Sequence, residues 1–380
     1  MTAAGEFALV DHHVHGVVTA DLDQAGFEGL LSESPWPAPP GTTMFDSQLG
    51  LAVRRWCAPV LGLEPSAPAE DYLARRAALG ASEVNRRLLR AAGVAAWLVD
   101  TGYQGGRLTT PEQLAQASGA PARHIVRLEA VAEQVARAGT SAAGFADALA
   151  RALAGAVASA GAVGFKSVAA YRHGLGLDPA RPAPAQVTAA AGRLLAAIEA
   201  EPEPGRARVE DPVLLRHLAW HAIDSGLPLQ FHVGFGDPDV RLHRGNPSLL
   251  HDFLLATRPA GTPVMLLHCY PYHREAGYLA HVFPHVYMDV GAALNHVGAR
   301  SAAVLAEALE LTPLHKMLYS SDAFGLPELH YLGAAGFRRD LSRVTSAFVA
   351  DGAWAAADAG RAAELIGSAN AVRVYRLGDR

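Results

Sequence analysis

The chain has 380 residues, half of them hydrophobic, and its 32 Lys and Arg against 37 Asp and Glu leave a net charge of −5. That length supports one large domain, and a mildly acidic chain without a basic patch is a poor match for a nucleic-acid partner. No apolar run reaches membrane-spanning length, the two cysteines are too few for a disulfide framework, and no basic-then-apolar segment opens the chain, so a cytoplasmic location is expected.

The first element is "FALVDHHVH", residues 7–15, a short apolar run of strand type that ends in three histidines. Alternation along a strand puts His13 and His15 on one face, with His12 and Val14 turned the other way toward packing. Two imidazoles on one face at a strand end suit a single metal ion. A segment at about 17–92 follows. It opens with the Pro-rich "SPWPAPPGT" and continues in helical patterns, and it is expected to be a helical insertion. It would cap a site or form the interface of a homo-oligomer.

From residue 94 a regular alternation sets in. Strand candidates are "VAAWLVDTG", "HIVRLEAV", "AVGFKSVAAYR", "LPLQFHVGFGD", "PVMLLHCY", "HVYMDVGA" and "MLYSSDAFG", separated by Ala- and Leu-rich helical stretches. With the first strand they make eight. Eight alternating units imply parallel pairing and fit a (β/α)8 TIM-type barrel spanning 1–380 as a single domain. No Gly-rich phosphate loop follows the first strand, which disfavours a doubly wound sheet.

Chemistry in such a barrel sits at the C-terminal strand ends. The candidates there are His13 and His15 on strand one, Lys166 on strand four, His232 on strand five, His268 on strand six and Asp322 on strand eight. Only Lys166 and Lys316 are lysines in this chain. A lysine amine shifts its pKa and reacts where arginine stays charged, so a retained lysine at a strand end invites a chemical role; Lys316 reads as a leftover.

"DHHVH", "FHVGFGD", "LLHCYPYHREAGYLA", "VYMDVG", "YSSDAFGLPE" and "SANAVRVYRL", in this order, resemble the amidohydrolase superfamily. The branch resembled is the second amidohydrolase family, and within it the amidohydrolase part of FluG-type proteins. The resemblance implies that His13, His15, His232, His268 and Asp322 bind metal, and that Asp322 also moves a proton. It places Lys166 where two-metal members carry a carboxylated lysine. Imidazoles and a carboxylate suit one or two Zn2+ ions, with Mn2+ or Fe2+ as alternatives. A bound metal lowers the pKa of its water from about 16 toward about 7 and makes a nucleophile available at neutral pH.

Loops after strands four to six carry Tyr171, Arg172, Arg241, His243, Tyr270 and His273, which are expected to contact substrate. Arginine holds carboxylates in bidentate fashion, so a small carboxylate-bearing substrate is expected. The FluG likeness points to an amide, a γ-glutamyl amide in particular. Two alternatives stand beside amide hydrolysis: a metal-dependent decarboxylase or isomerase on the same scaffold, and a metal-free binding protein.

Overall fold

The computed structural model describes residues 7–103, 106–202 and 205–378. Among these described residues seven strands form one curled parallel sheet in chain order: β1 (Val10–Val14), β2 (Ala96–Asp100), β3 (Ala122–Arg127), β4 (Gly164–Ser167), β5 (Leu229–Val233), β6 (Val264–His268) and β7 (Val286–Met288). The fold is α/β of the TIM-barrel type. Parallel neighbours need a crossover, and helices supply it, among them Ala81–Ala92, Pro111–Ser118, Phe145–Ala160, Pro212–Ser225 and His273–Val282. Local chemistry sets their ends. Thr110 and Gln113 form a capping box ahead of Pro111–Ser118, while Asp211 caps Pro212–Ser225 and a left-handed Gly226 stops it.

The segment expected as an eighth strand, residues 317–325, is not one. It still joins both edges of the sheet. Leu318 N donates to Met288 O at 3.0 Å, His12 N to Tyr319 O at 3.2 Å and Asp322 N to His13 O at 3.1 Å. A side chain interrupts its ladder: the Asp11 carboxyl accepts the Ser321 N–H at 3.0 Å, and the backbone then turns left-handed at Asp322 with φ 50°. Between β1 and β2 the chain forms the helices Gln24–Gly29, Gln48–Ala52, Ala69–Leu79 and Ala81–Ala92. The last packs against the long helix Pro327–Ala350.

Strand alternation divides the core. Trp97, Val99, Phe165, Leu229, Phe231, Val264 and Leu266 face the helices in the main cluster. Val10, Leu98, Ile125, Met265, Leu267 and Tyr287 form a smaller inner cluster, which Ala371, Val374 and Tyr375 of the helix Asn370–Tyr375 fill from below. Positions further along the inner faces, toward the C-terminal strand ends, are polar, and the site is built from them. No helix among the described residues is long and apolar enough to cross a membrane.

Candidate active site

β1 does not keep strict alternation. Its register with β2 shifts between Asp11 and Val14. Val14 joins the main core, but His12 turns inward, which corrects the expectation that both pack outward. His12 Nδ1 lies 3.0 Å from Tyr375 Oη and Nε2 2.9 Å from Asp289 Oδ2. The shift thus brings His12 and His13 into one buried network.

The partners of the imidazoles fix which nitrogen is free. His15 Nδ1 sits 3.0 Å from the Asp100 carbonyl oxygen, which only accepts, so Nδ1 carries the proton. Gln230 Nε2 donates to His12 O at 2.8 Å, so its Oε1, 2.8 Å from His13 Nδ1, accepts a proton there too. The lone pairs of His13 Nε2 and His15 Nε2 therefore face Asp322 Oδ1, at 3.1 Å and 3.7 Å. His268 Nε2 lies 3.3 Å from Asp322 Oδ2, and neither of its ring nitrogens has a hydrogen-bond partner among the described residues. Lone pairs aimed at carboxylate oxygens repel unless a proton or a cation lies between them. Among the described residues His13, His268 and Asp322 form one group spaced to hold a metal ion, and His13, His15 and Asp100 form another. Neutral imidazoles plus a carboxylate are a donor set that fits a transition metal.

His232 is placed differently. Its Nε2 donates to Phe235 O at 2.9 Å, and its ring lies 4.7 Å from the His268 ring and 4.4 Å from that of Tyr171. Lys166 Nζ lies 3.5 Å from His13 Nε2. Cys269, beside His268, is buried in the main core and donates to Leu266 O. Backbone strain is concentrated here: His268 and Asp322 have φ of 69° and 50°. At His268 this departure follows two inner-face residues, Met265 and Leu267, and carries its ring into the cluster.

Burial dominates the electrostatics. It holds the imidazoles of His13, His232 and His268 well below their ordinary value and that of His15 at about 4. It pushes the Asp322 carboxyl up to about 7, against the pull of His15 and Lys166, and brings the Lys166 amine down to about 8. Asp100 differs. Burial would raise it, but the Arg127 guanidinium, 2.6 Å from Oδ2, holds it well below the carboxylate range.

Of these groups His13, His15, Arg127, Lys166, His232 and Asp322 line a cavity of about 560 Å³, and His268 lies behind Asp322. Tyr171 and Arg172 line it as well. Arg172 reaches Glu133 at 3.4 Å and keeps a buried Nε without a partner among the described residues. Arg241 and His243 are exposed on and beside the turn Leu242–Gly245, outside the cavity lining. Tyr270 stacks on His273 at 5.9 Å, and His273 Nε2 pairs with Glu307 at 2.8 Å, so both brace the loop after β6 away from the lining. Sequence reading passed over Asp100, Arg127, Gln230 and Asp289. A signal was available. Each follows an inner-face residue by two positions or precedes His232 by two, so parity marked all four as inward polar groups.

The model of the family described as amidohydrolase matches residues 64–377. The chain belongs to the amidohydrolase family. It is 35% identical over 237 residues to Protein fluG of Emericella nidulans, a match covering 59% of this chain and 27% of that protein. The amidohydrolase chain thus spans about a quarter of that curated relative. Among solved structures it is similar to a Lactobacillus casei protein designated a metal-dependent hydrolase, with 28% identity, a TM-score of 0.82, and coverage of 99% of this chain and 96% of that one. Uronate isomerases of Thermotoga maritima and Bacillus halodurans share the fold at 15% and 14% identity, with TM-scores of 0.60 and 0.63. Those alignments cover 97% and 98% of this chain, and 95% and 94% of theirs.

Proposed function

We propose that this amidohydrolase is a metal-dependent hydrolase that cleaves the amide bond of a small carboxylate-bearing substrate, a γ-glutamyl amide being the first choice. The observation that carries the reading is the convergence of His13, His15 and His268 on Asp322 at the wall of the cavity, with two imidazole lone pairs fixed toward the carboxylate. These four residues would hold the ion, with His232 and Lys166 adjoining; Zn2+ suits the donors best. When bound, the ion polarises a carbonyl and lowers the pKa of water. A carboxylated Lys166 would add an anionic ligand for a second ion.

The chain's own residues supply the rest. Asp322 is positioned to take a proton from the attacking water and deliver it to the leaving nitrogen. Arg172 offers its unpartnered Nε to the substrate carboxylate. Arg127 is tied to Asp100 and orients the wall that carries His15. We also read residues 317–325 as the eighth unit of the barrel, since they bond to both β7 and β1. The segment between β1 and β2 contributes Leu30, Glu33 and Pro35 to the cavity lining.

The decisive experiment is metal content per chain with intact mass at Lys166, followed by turnover of γ-glutamyl amides, aromatic carboxylic acids and uronates. Bound metal with amide turnover supports the reading. Decarboxylation or isomerisation without amide turnover, or a chain that takes up neither Zn2+ nor Mn2+, overturns it.

A further inference from the structure

A second cavity of about 510 Å³ adjoins the first. The two share Ser32, Glu33, Ser34, Asp237 and His296 as a common border. Beyond that border the lining changes character. The inner cavity carries Arg127, Arg172 and Arg208, whereas no Lys or Arg lines the outer one among the described residues. The outer walls are apolar and aromatic, with Met44, Leu49, Phe235, Val240 and Trp36. Trp36 leaves 67% of its surface exposed, and Phe235 packs on His296 at 5.1 Å. An indole so exposed beside a cavity is costly to hydrate and well placed to cover an apolar group. Ser34 fixes the backbone that carries it, since its hydroxyl accepts the Trp36 main-chain N–H at 3.2 Å.

We infer that the outer cavity receives the amine half of the substrate, and that this amine carries an apolar or aromatic body. The inference rests on the amide-hydrolysis reading above and adds the leaving group. Hydrolysis breaks the C–N bond and forms a C–O bond. The acyl carbon keeps the water oxygen as a carboxylate, and both water protons end on nitrogen, so the amine departs as an ammonium ion. The acyl carboxylate belongs with the arginines of the inner cavity. The ammonium emerges at the border, where Glu33 and Asp237 supply negative charge and Glu33 lies 3.5 Å from His296. Aromatic faces beyond it favour both an apolar body and a cation.

The test uses the full metal-loaded chain and two γ-glutamyl amides, of methylamine and of phenethylamine, with phenethylammonium alone as a binding probe. The phenethylamide is expected to show a kcat/KM at least about tenfold higher than the methylamide. Trp36→Ala is expected to erase most of that ratio through KM while kcat for the phenethylamide holds. Phenethylammonium is expected to bind the wild-type chain, by calorimetry, and to bind Trp36→Ala about tenfold more weakly. Equal turnover of both amides with no Trp36-dependent binding overturns the outer site and leaves amide hydrolysis standing. Trp36-dependent binding without turnover of either amide supports the outer site and overturns the reaction assigned to the inner one.

Discussion

Lys166 and Lys316 survive in an arginine-rich chain for different reasons. Lys316 is held at the foot of β7, where its ammonium donates to Phe283 O and Val286 O at 3.0 Å and to Pro284 O, and lies over the Tyr287 ring. Three convergent carbonyls suit a tetrahedral ammonium, and a planar guanidinium fork does not match them. Lys316→Arg and Lys316→Met should each cost about 2 kcal/mol in urea unfolding, because buried carbonyls lose their donor. A midpoint unchanged in both variants would refute this role. A second prediction concerns His13. Gln230 Oε1 is what pins the His13 proton to Nδ1 and leaves Nε2 free. Gln230→Leu should weaken Zn2+ affinity about 10- to 100-fold in a chelator competition, as removal of a ligand's hydrogen-bond partner does elsewhere. Unaltered affinity in a folded variant would show that the tautomer is set by other means.

At the scale of elements, the loops after β5 and β6 are locked together at one point. Gly234, with φ 74°, donates its N–H to Gly245 O at 2.9 Å, and Phe235 N donates to Tyr270 O at 2.7 Å. A Cβ at Gly234 would stand 2.2 Å from the Tyr270 carbonyl oxygen, a backbone atom that cannot swing away. Gly234→Ala should therefore destabilise by roughly 2–4 kcal/mol, from strain plus displacement of the β6 loop. It should weaken metal binding as well, because His232 and His268 stand at the ends of those two strands; a drop in melting temperature with metal affinity intact would separate the loop junction from the site. The same elements show how much was legible in the sequence. Seven of the eight strand positions were readable, since apolar runs of period two between amphipathic helices leave few alternatives. The eighth failed because Asp11, a side chain remote in sequence, takes a ladder hydrogen bond from Ser321. Strand-end histidines were readable because few bland roles place imidazoles there. For the Asp100–Arg127 pair and Gln230 parity gives an inward position and nothing more, because they act through other residues and only packing reveals a partner. Arg241 and His243 illustrate the opposite error, in which residue type suggested a contact that the 3-10 turn after β5 directs to solvent.

At the scale of the whole molecule, two regions where burial works against charge are separable by experiment. One is the ligand cluster, where several buried groups face one another; adding metal at 100 times its Kd should raise stability by about 2.7 kcal/mol, and chelation should remove that gain. The other lies at the opposite ends of the strands, beside Lys316. There His285 precedes β7, Nε2 is 3.4 Å from Thr257 Oγ1 and Nδ1 has no partner among the described residues. Burial, and then repulsion from Lys316 and Arg258, holds this imidazole at about 4 instead of 6.5. An unfolded chain binds the His285 proton as pH falls through the ordinary histidine value, whereas the folded chain resists it until pH nears 4. The stability that this neutral histidine confers is therefore complete above about 6.5 and lost as pH falls through about 4, a decline of roughly 2 kcal/mol across the window. His285→Gln keeps a polar group in place and removes the titration. Urea unfolding of the metal-free chain at steps between pH 7.5 and about 4 should show a shallower acid slope for the variant. Parallel slopes for the two proteins would refute the His285 account and leave acid sensitivity to other groups, the ligand histidines and Asp100 among them.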